Sequence, residues 1–300
     1  MTPEKVNEYL TKFNSDSTKG LYEYEINRFL SITNKPLSKI TETDIYNYIE
    51  TIRNKSTGEK TATSTVARKL SIVRNFLQFL YKRKHIKTDL AAEIELPKVN
   101  QKQPDILTEP EATALLRTPD KRTVVGLRDY LMLKIFLLTG CRLSELIQIN
   151  WGDFDRKYNC LTLTLHGKGN KDRLVKIPKD LEAEIARYRN NQDYAKDEPL
   201  FLTTEVRNLK PQRISKIAIR NMLSKYCKKA LIHKNITPHS LRHTCFSLEV
   251  ANGADIFKVQ AQAGHTSIAV TQRYIRLFDQ LENNGVDYNP LQQKTKEVFA

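Results

Sequence analysis

The sequence predicts a mainly α-helical protein with a small antiparallel β-sheet in its second half, divided into two domains. Three observations carry that prediction. The chain has 300 residues, more than one compact core usually holds. Residues 3–97 read as successive amphipathic helices with no strand pattern between them. Alternating apolar stretches come as one pair, "CLTLTLHG" (160–167) and "RLVKIP" (173–178). Between them "KGNKD", with Gly167, Gly169 and Asn170 supplying turn backbone, makes the pair a hairpin.

In the first domain, helical patterns fall at 4–13, 18–32 and 42–53, where "TETDIYNYIETIR" opens with the polar, acidic first turn that suits a helix N-terminus. A longer pattern covers 61–84. Val66, Leu70, Val73, Leu77 and Leu80 repeat there at helical spacing and face a core, with Lys69 and Arg74 off that stripe. "ELPKVNQKQPDILTEPEA" (95–112) has three prolines and no apolar period until Thr108, which with Pro110 and Glu111 opens a new helix. The domains are therefore 1–97 and 108–300, joined by a linker at 98–107. The second domain runs helix 108–117, buried helix 122–139, a short helix in "TGCRLSELIQINW" (139–151), and the hairpin. Helices follow at 179–191, about 211–231, from Pro238 and at 254–262, and then a last helix containing Tyr274.

The formal net charge is +15, which favours a polyanionic partner. Residues 1–97 carry 16 Lys and Arg against 12 Asp and Glu, whereas residues 98–300 carry 33 against 22, so the excess concentrates in the second domain. The four cysteines form no C-x-x-C pair, which excludes a zinc ribbon or disulfide framework and fits a reducing cytosol. The charged N-terminus predicts no signal peptide, and "LRDYLMLKIFLLTG" (127–140) is too short and too interrupted by charge to span a bilayer. These features predict a cytoplasmic protein with no membrane partner.

One stretch, 237–277, concentrates chemistry. Thr237 reads as an N-cap and Pro238 as the first helical residue, which puts His239 and Arg242 one turn apart at a helix start, a ready anion site. His265 follows Gly264, the stop of helix 254–262, and Tyr274 lies nine residues on. Elsewhere, Arg142 follows Gly140, with Glu145 three residues on, and Lys168 sits at the hairpin tip. Each has an ordinary structural reading as well: a helix-end ion pair for Arg142, a capped His, a core tyrosine, a solvated turn lysine. Metal-free phosphodiester cleavage needs what the set offers: permanently charged arginines for the non-bridging oxygens, a positioned nucleophile, and a proton for the leaving oxygen. His239 and His243 have the i, i+4 spacing of a zinc protease, but Ser240 stands where that motif needs Glu. "HGKGNKDR" (166–173) lacks the phosphate-loop pattern. Neither a metal nor a nucleotide is therefore expected.

"TGCRLSEL", "GKGNKDR", "HSLRHT", "GHTS" and Tyr274, in that order and spacing, resemble the tyrosine recombinases of the phage-integrase type, most closely the short Xer-like and transposon-integrase members. The helical N-terminal segment resembles that family's SAM-like core-binding domain. The resemblance implies a site-specific DNA recombinase working through a 3′-phosphotyrosyl intermediate and a Holliday junction, with neither ATP nor metal. It implies Tyr274 as nucleophile, Arg142 and Arg242 on the non-bridging oxygens, and Lys168 as proton donor to the 5′-oxygen. His239 would serve as acid and base, His265 as a phosphate ligand, and Glu145 as support for Arg142. It further implies that the two domains clamp double-stranded DNA, and that a homo-tetramer, or a hetero-tetramer with a related recombinase, acts on two paired sites. Residues 279–300 would pack onto a neighbour. The helix at 61–84, with Lys69 and Arg74, and the basic helix at 213–229 would contact grooves. Arg213, Lys216 and Arg220 at i, i+3 and i+7 present one basic face there. Two departures, Ala263 before the Gly-His and Ile275–Arg276 after the tyrosine, leave the subfamily open. The alternatives are a type IB topoisomerase-like nicking and closing enzyme and a non-catalytic DNA-binding regulator.

Overall fold

The computed structural model describes residues 2–53, 59–99, 104–157, 159–167, 172–190, 192–203 and 211–264. Lys168, His265, Tyr274 and the segment 279–300 lie outside the described residues. The chain separates into two compact units, Met1–Lys102 and Gln103–Ala300.

The first unit contains helices α1 (Thr2–Leu10), α2 (Asp16–Thr33), α3 (Glu42–Arg53) and α4 (Thr63–Lys82). All five residues of the α4 stripe are buried, and Ile72, Phe76 and Phe79 join them. The stripe is that wide because α4 packs against all three other helices and so must be apolar around more than half its circumference. The carboxylate of Glu25, 1 % exposed, accepts a 2.8 Å hydrogen bond from the Tyr48 hydroxyl. The Lys69 ammonium stands 3.9 Å from the same carboxylate. Lys69 was expected off that stripe. It sits instead at the edge of the buried face, because a buried carboxylate needs a cation within reach. Arg74 is exposed.

The second unit begins with α5 (Glu109–Arg117), closed by a reciprocal capping box between Thr108 and Glu111. Next is α6 (Val124–Thr139), mostly apolar apart from Arg128, Asp129 and Lys134, with Leu131, Met132, Leu133, Ile135 and Phe136 fully buried. Gly140 ends it at φ +57°, and a Cβ there would come within 2.3 Å of the Phe246 ring. Only glycine meets both conditions. The short α7 (Leu143–Gln148) leads to a three-stranded antiparallel sheet, β1 (Phe154–Lys157), β2 (Cys160–Leu165) and β3 (Arg173–Ile177), in the order β1-β2-β3. Leu163 pairs with Val175 and Leu161 with Ile177. Leu163, Leu165, Val175 and Ile177 are buried in the core of this unit. Helices α8 (Lys179–Arg189), α9 (Lys216–Lys229), α10 (Pro238–Ala251) and α11 (Ile256–Ala263) complete it. Helix α10 packs along α6, and no helix among the described residues is long and apolar enough to cross a membrane.

Two features differ from the sequence reading. Strand β1 is additional: "FDRK" is an edge strand of four residues with one half-buried side chain, Phe154, so it offers no alternation to read. Helix α9 begins at Lys216, because Ser215 caps it by accepting from the Ala218 amide at 3.1 Å. Arg213 therefore precedes the helix and shares no helical face with Lys216 and Arg220. Its guanidinium donates to the Ile147 carbonyl and to Oδ1 of Asn150, each at 2.7 Å, and so ties α7 to the entry of α9.

Candidate catalytic site

The site is assembled around Gly140. Reversal of the chain there carries Cys141 into the core and leaves Arg142 as the N-cap residue of α7. Glu145, one turn on, reaches back. Its Oε2 accepts the Arg142 amide and its Oε1 accepts Nη1 of Arg142, both at 2.7 Å. The Arg142 side chain remains 43 % exposed, so its guanidinium is held on one edge and open on another. Glu145 is itself buried, at 2 % exposure.

A second guanidinium completes the bracket. Arg173 donates Nη1 to Oε1 and Nη2 to Oε2 of Glu145, both at 2.7 Å, the bidentate geometry that arginine favours with carboxylates. Burial alone would raise the Glu145 pKa. The hydrogen bonds from Arg173 and Arg142 and the Arg173 charge more than offset that and hold it at about 2. Glu145 is thus an anion at every physiological pH, clamped between two arginines. Arg173 received no separate role in the sequence reading, although the signal was there. It alternates with Val175 and Ile177, which places a charged residue on the core-facing side of β3, where it requires a counter-ion.

Arg242 is 2 % exposed. Thr237 caps α10 by accepting the Ser240 amide at 3.1 Å, and the first turn then projects Arg242 toward the end of α6. There Nη1 donates to the Gly140 carbonyl and Nη2 to the Ala263 carbonyl, both at 2.5 Å, and the guanidinium lies 4.9 Å from the centre of the Phe246 ring. One side chain thereby joins the C-terminal ends of α6 and α11. At the end of α11, Gly264 takes a left-handed φ of +64°, and a Cβ on it would lie 3.5 Å from Cδ of Arg173. Helix α11 thus ends beside the Glu145 bracket.

His239, exposed in the first turn of α10, titrates below its ordinary value through partial burial and then the charges of Arg242 and Arg142. Its imidazole is therefore neutral at pH 7 and able to accept a proton. Its Nε2 lies 2.9 Å from Nε2 of His243, with the rings edge to face. Arg142, Glu145, His239 and Arg242 thus come together, joined by Arg173 and His243. Lys69 and Arg74 belong to the other unit. Lys216 and Arg220 are exposed on α9. Among the described residues no group of three or more His, Cys, Asp or Glu side chains is arranged to hold a metal.

Residues 105–280 match the model of the phage integrase family, and residues 7–84 match its N-terminal SAM-like domain. The chain belongs to the phage integrase family. Tyrosine recombinase XerD of Staphylococcus saprophyticus is 32 % identical over 267 residues, covering 88 % of this chain and 89 % of that protein. Tyrosine recombinase XerC of Thermodesulfovibrio yellowstonii is 31 % identical over 275 residues, covering 88 % and 87 %. Among solved structures, the XerH site-specific recombinase bound to its difH substrate superposes with a TM-score of 0.62 at 21 % identity, covering 87 % of this chain and 76 % of that one. That likeness speaks to the fold. This phage integrase is a Xer-like tyrosine recombinase.

Proposed function

We propose that this recombinase breaks a DNA strand by attack of the Tyr274 phenol on the scissile phosphate. The step forms a 3′-phosphotyrosyl bond and expels the 5′-oxygen. Arg142 and Arg242 hold the non-bridging oxygens, His239 takes the phenol proton and returns it on rejoining, Lys168 protonates the leaving 5′-oxygen, and His265 hydrogen-bonds the phosphate. The covalent bond conserves the phosphodiester energy, so rejoining needs no ATP. Two arginines with a neutral imidazole beside them suit a phosphorane-like transition state, whose extra negative charge calls for fixed cations and whose nucleophile calls for a base.

The observation that supports this most is the fixing of both arginines around Gly140. Arg142 is clamped by Glu145 and Arg242 is bonded to the Gly140 carbonyl, so the cations are arranged before DNA arrives and cost little reorganisation during the reaction. We further propose that the two units, residues 1–97 and 108–300 with the linker between, close on duplex DNA from opposite sides, with α4 and α9 in grooves through Arg74, Lys216 and Arg220. Four protomers then act on two paired sites, with residues 279–300 seated on a neighbour. Nicked duplexes of random sequence, selected for covalent capture by the wild-type protein, supply the substrate. Supercoiled plasmids carrying two copies of the selected site should yield recombinant circles. Relaxation without recombinants would overturn the reading in favour of a nicking and closing enzyme.

A further inference from the structure

The contact between His239 and His243 is not accounted for by the roles above, which give His243 nothing to do. The two residues are i and i+4 on α10, which stacks their side chains on one face of the helix. The 2.9 Å separation joins Nε2 of one ring to Nε2 of the other. Two imidazole nitrogens approach that closely only when one proton lies between them. Two doubly protonated rings would set N–H against N–H, and two rings protonated only at Nδ1 would set lone pair against lone pair. The pair therefore makes one Nε2 the donor and the other the acceptor.

We propose that His243 is a positioning residue for the strand-cleavage reaction: it accepts the Nε2 proton of His239 and so leaves Nδ1 of His239 as the lone pair that receives the phenol proton. This rests on the reading of His239 as the acid–base group. Among the described residues His239 forms no hydrogen bond other than this one, so Nδ1 is the nitrogen available to a reacting group. In the step itself the phenol proton moves to Nδ1 as the phenol oxygen bonds to phosphorus. The bond from phosphorus to the 5′-oxygen breaks, and that oxygen takes a proton from Lys168. The imidazolium formed on His239 then donates Nε2–H to the neutral ring of His243, a charge-assisted bond stronger than the one present before the transfer. A second ring thus orients the base and steadies its charged form, the part that a third group plays in other nucleophile–base arrangements.

The test uses the full-length protein and the nicked duplex selected by covalent capture. Glutamine offers an acceptor close to where Nε2 of histidine stands, and leucine offers none. His243→Leu should slow single-turnover cleavage roughly 10- to 100-fold at saturating protein, with DNA affinity unchanged, and His243→Gln should recover to within about threefold of wild type. His239→Ala combined with His243→Leu should be no slower than His239→Ala alone, because both changes remove one device. Nitrogen-15 spectra of histidine-labelled protein, free of DNA, should give His239 an unprotonated Nδ1 in wild type and a mixture of tautomers in His243→Leu. The inference is overturned if His239→Ala is slow while His243→Leu cleaves at the wild-type rate, or if the two losses multiply while the tautomer stays unchanged. If His239→Ala itself cleaves normally, the acid–base reading beneath the inference fails instead.

Discussion

Replacing Glu145 by Gln tests the bracket that holds Arg142. In the wild type four donors converge on this carboxylate, two nitrogens from Arg142 and two from Arg173. Its pKa falls from the ordinary 4.5 to about 2, which at about 1.36 kcal/mol per unit corresponds to roughly 3 kcal/mol of stability at neutral pH. A depressed folded pKa gives stability that is present above 4.5 and lost as pH falls toward 2. Glutamine has no charge and turns an NH₂ toward a guanidinium, so Glu145→Gln should lose about 2–4 kcal/mol at pH 7. The gap should narrow by about 1.4 kcal/mol at pH 3.5, because the wild-type group is then losing its advantage. Trp151 is the single tryptophan of the chain and stacks on Tyr194 at 4.6 Å in the second unit. Its fluorescence in urea therefore reports this unit without interference from the first. A gap below 1 kcal/mol at pH 7, or one that stays constant down to pH 3.5, would refute the reasoning.

Three further outcomes follow from other parts of the molecule. Gly140→Ala should cost roughly 2–5 kcal/mol by the same fluorescence measurement, since the new methyl meets the Phe246 ring while the residue stays left-handed. The double change Lys216→Ala and Arg220→Ala should lower the slope of log affinity against log salt by about 2, as the loss of two phosphate contacts requires; an unchanged slope removes α9 from the DNA surface. His166 lies between Asp172 at 2.9 Å and Asp153 at 3.1 Å, and its pKa is raised by hydrogen bonds to Asp153 and Asp172. A raised folded pKa gives stability that is complete below 6.5 and lost as pH rises through the folded value. Amide exchange at Leu165 and Arg173 should accordingly be slower in wild type than in His166→Ala at pH 6, with the difference shrinking as pH rises through the folded value.

Much of the fold was legible because local chemistry and tertiary packing agree at its element boundaries. Thr108 with Glu111, Thr237 with Pro238, and the glycines at 140 and 264 mark helix ends that the structure places where capping rules put them. The stripe on α4 was readable because one helix with a wide apolar face has to lie inside a bundle. What escaped was decided by partners distant in sequence. Lys69 turns to Glu25, 44 positions away, and Arg213 turns back to Ile147 and Asn150, and no local pattern records either contact. At the site, the i, i+3 spacing of Arg142 and Glu145 announced their contact. Arg173 was hidden in a strand whose alternation, applied strictly, would have flagged a cation facing the core. The spacing of His239 and His243 was visible but raised the question of metal binding, whereas the structure shows a 2.9 Å contact between their Nε2 atoms.

The most direct test of the account is the identity and polarity of the covalent link. The adduct captured on a nicked duplex, digested and sequenced by mass spectrometry, should carry the nucleotide on Tyr274, joined through the 3′-phosphate and leaving a free 5′-hydroxyl. Tyr274→Phe should form no adduct. A nucleotide on another residue, a 5′-phosphate linkage, or an adduct that persists in Tyr274→Phe would contradict it.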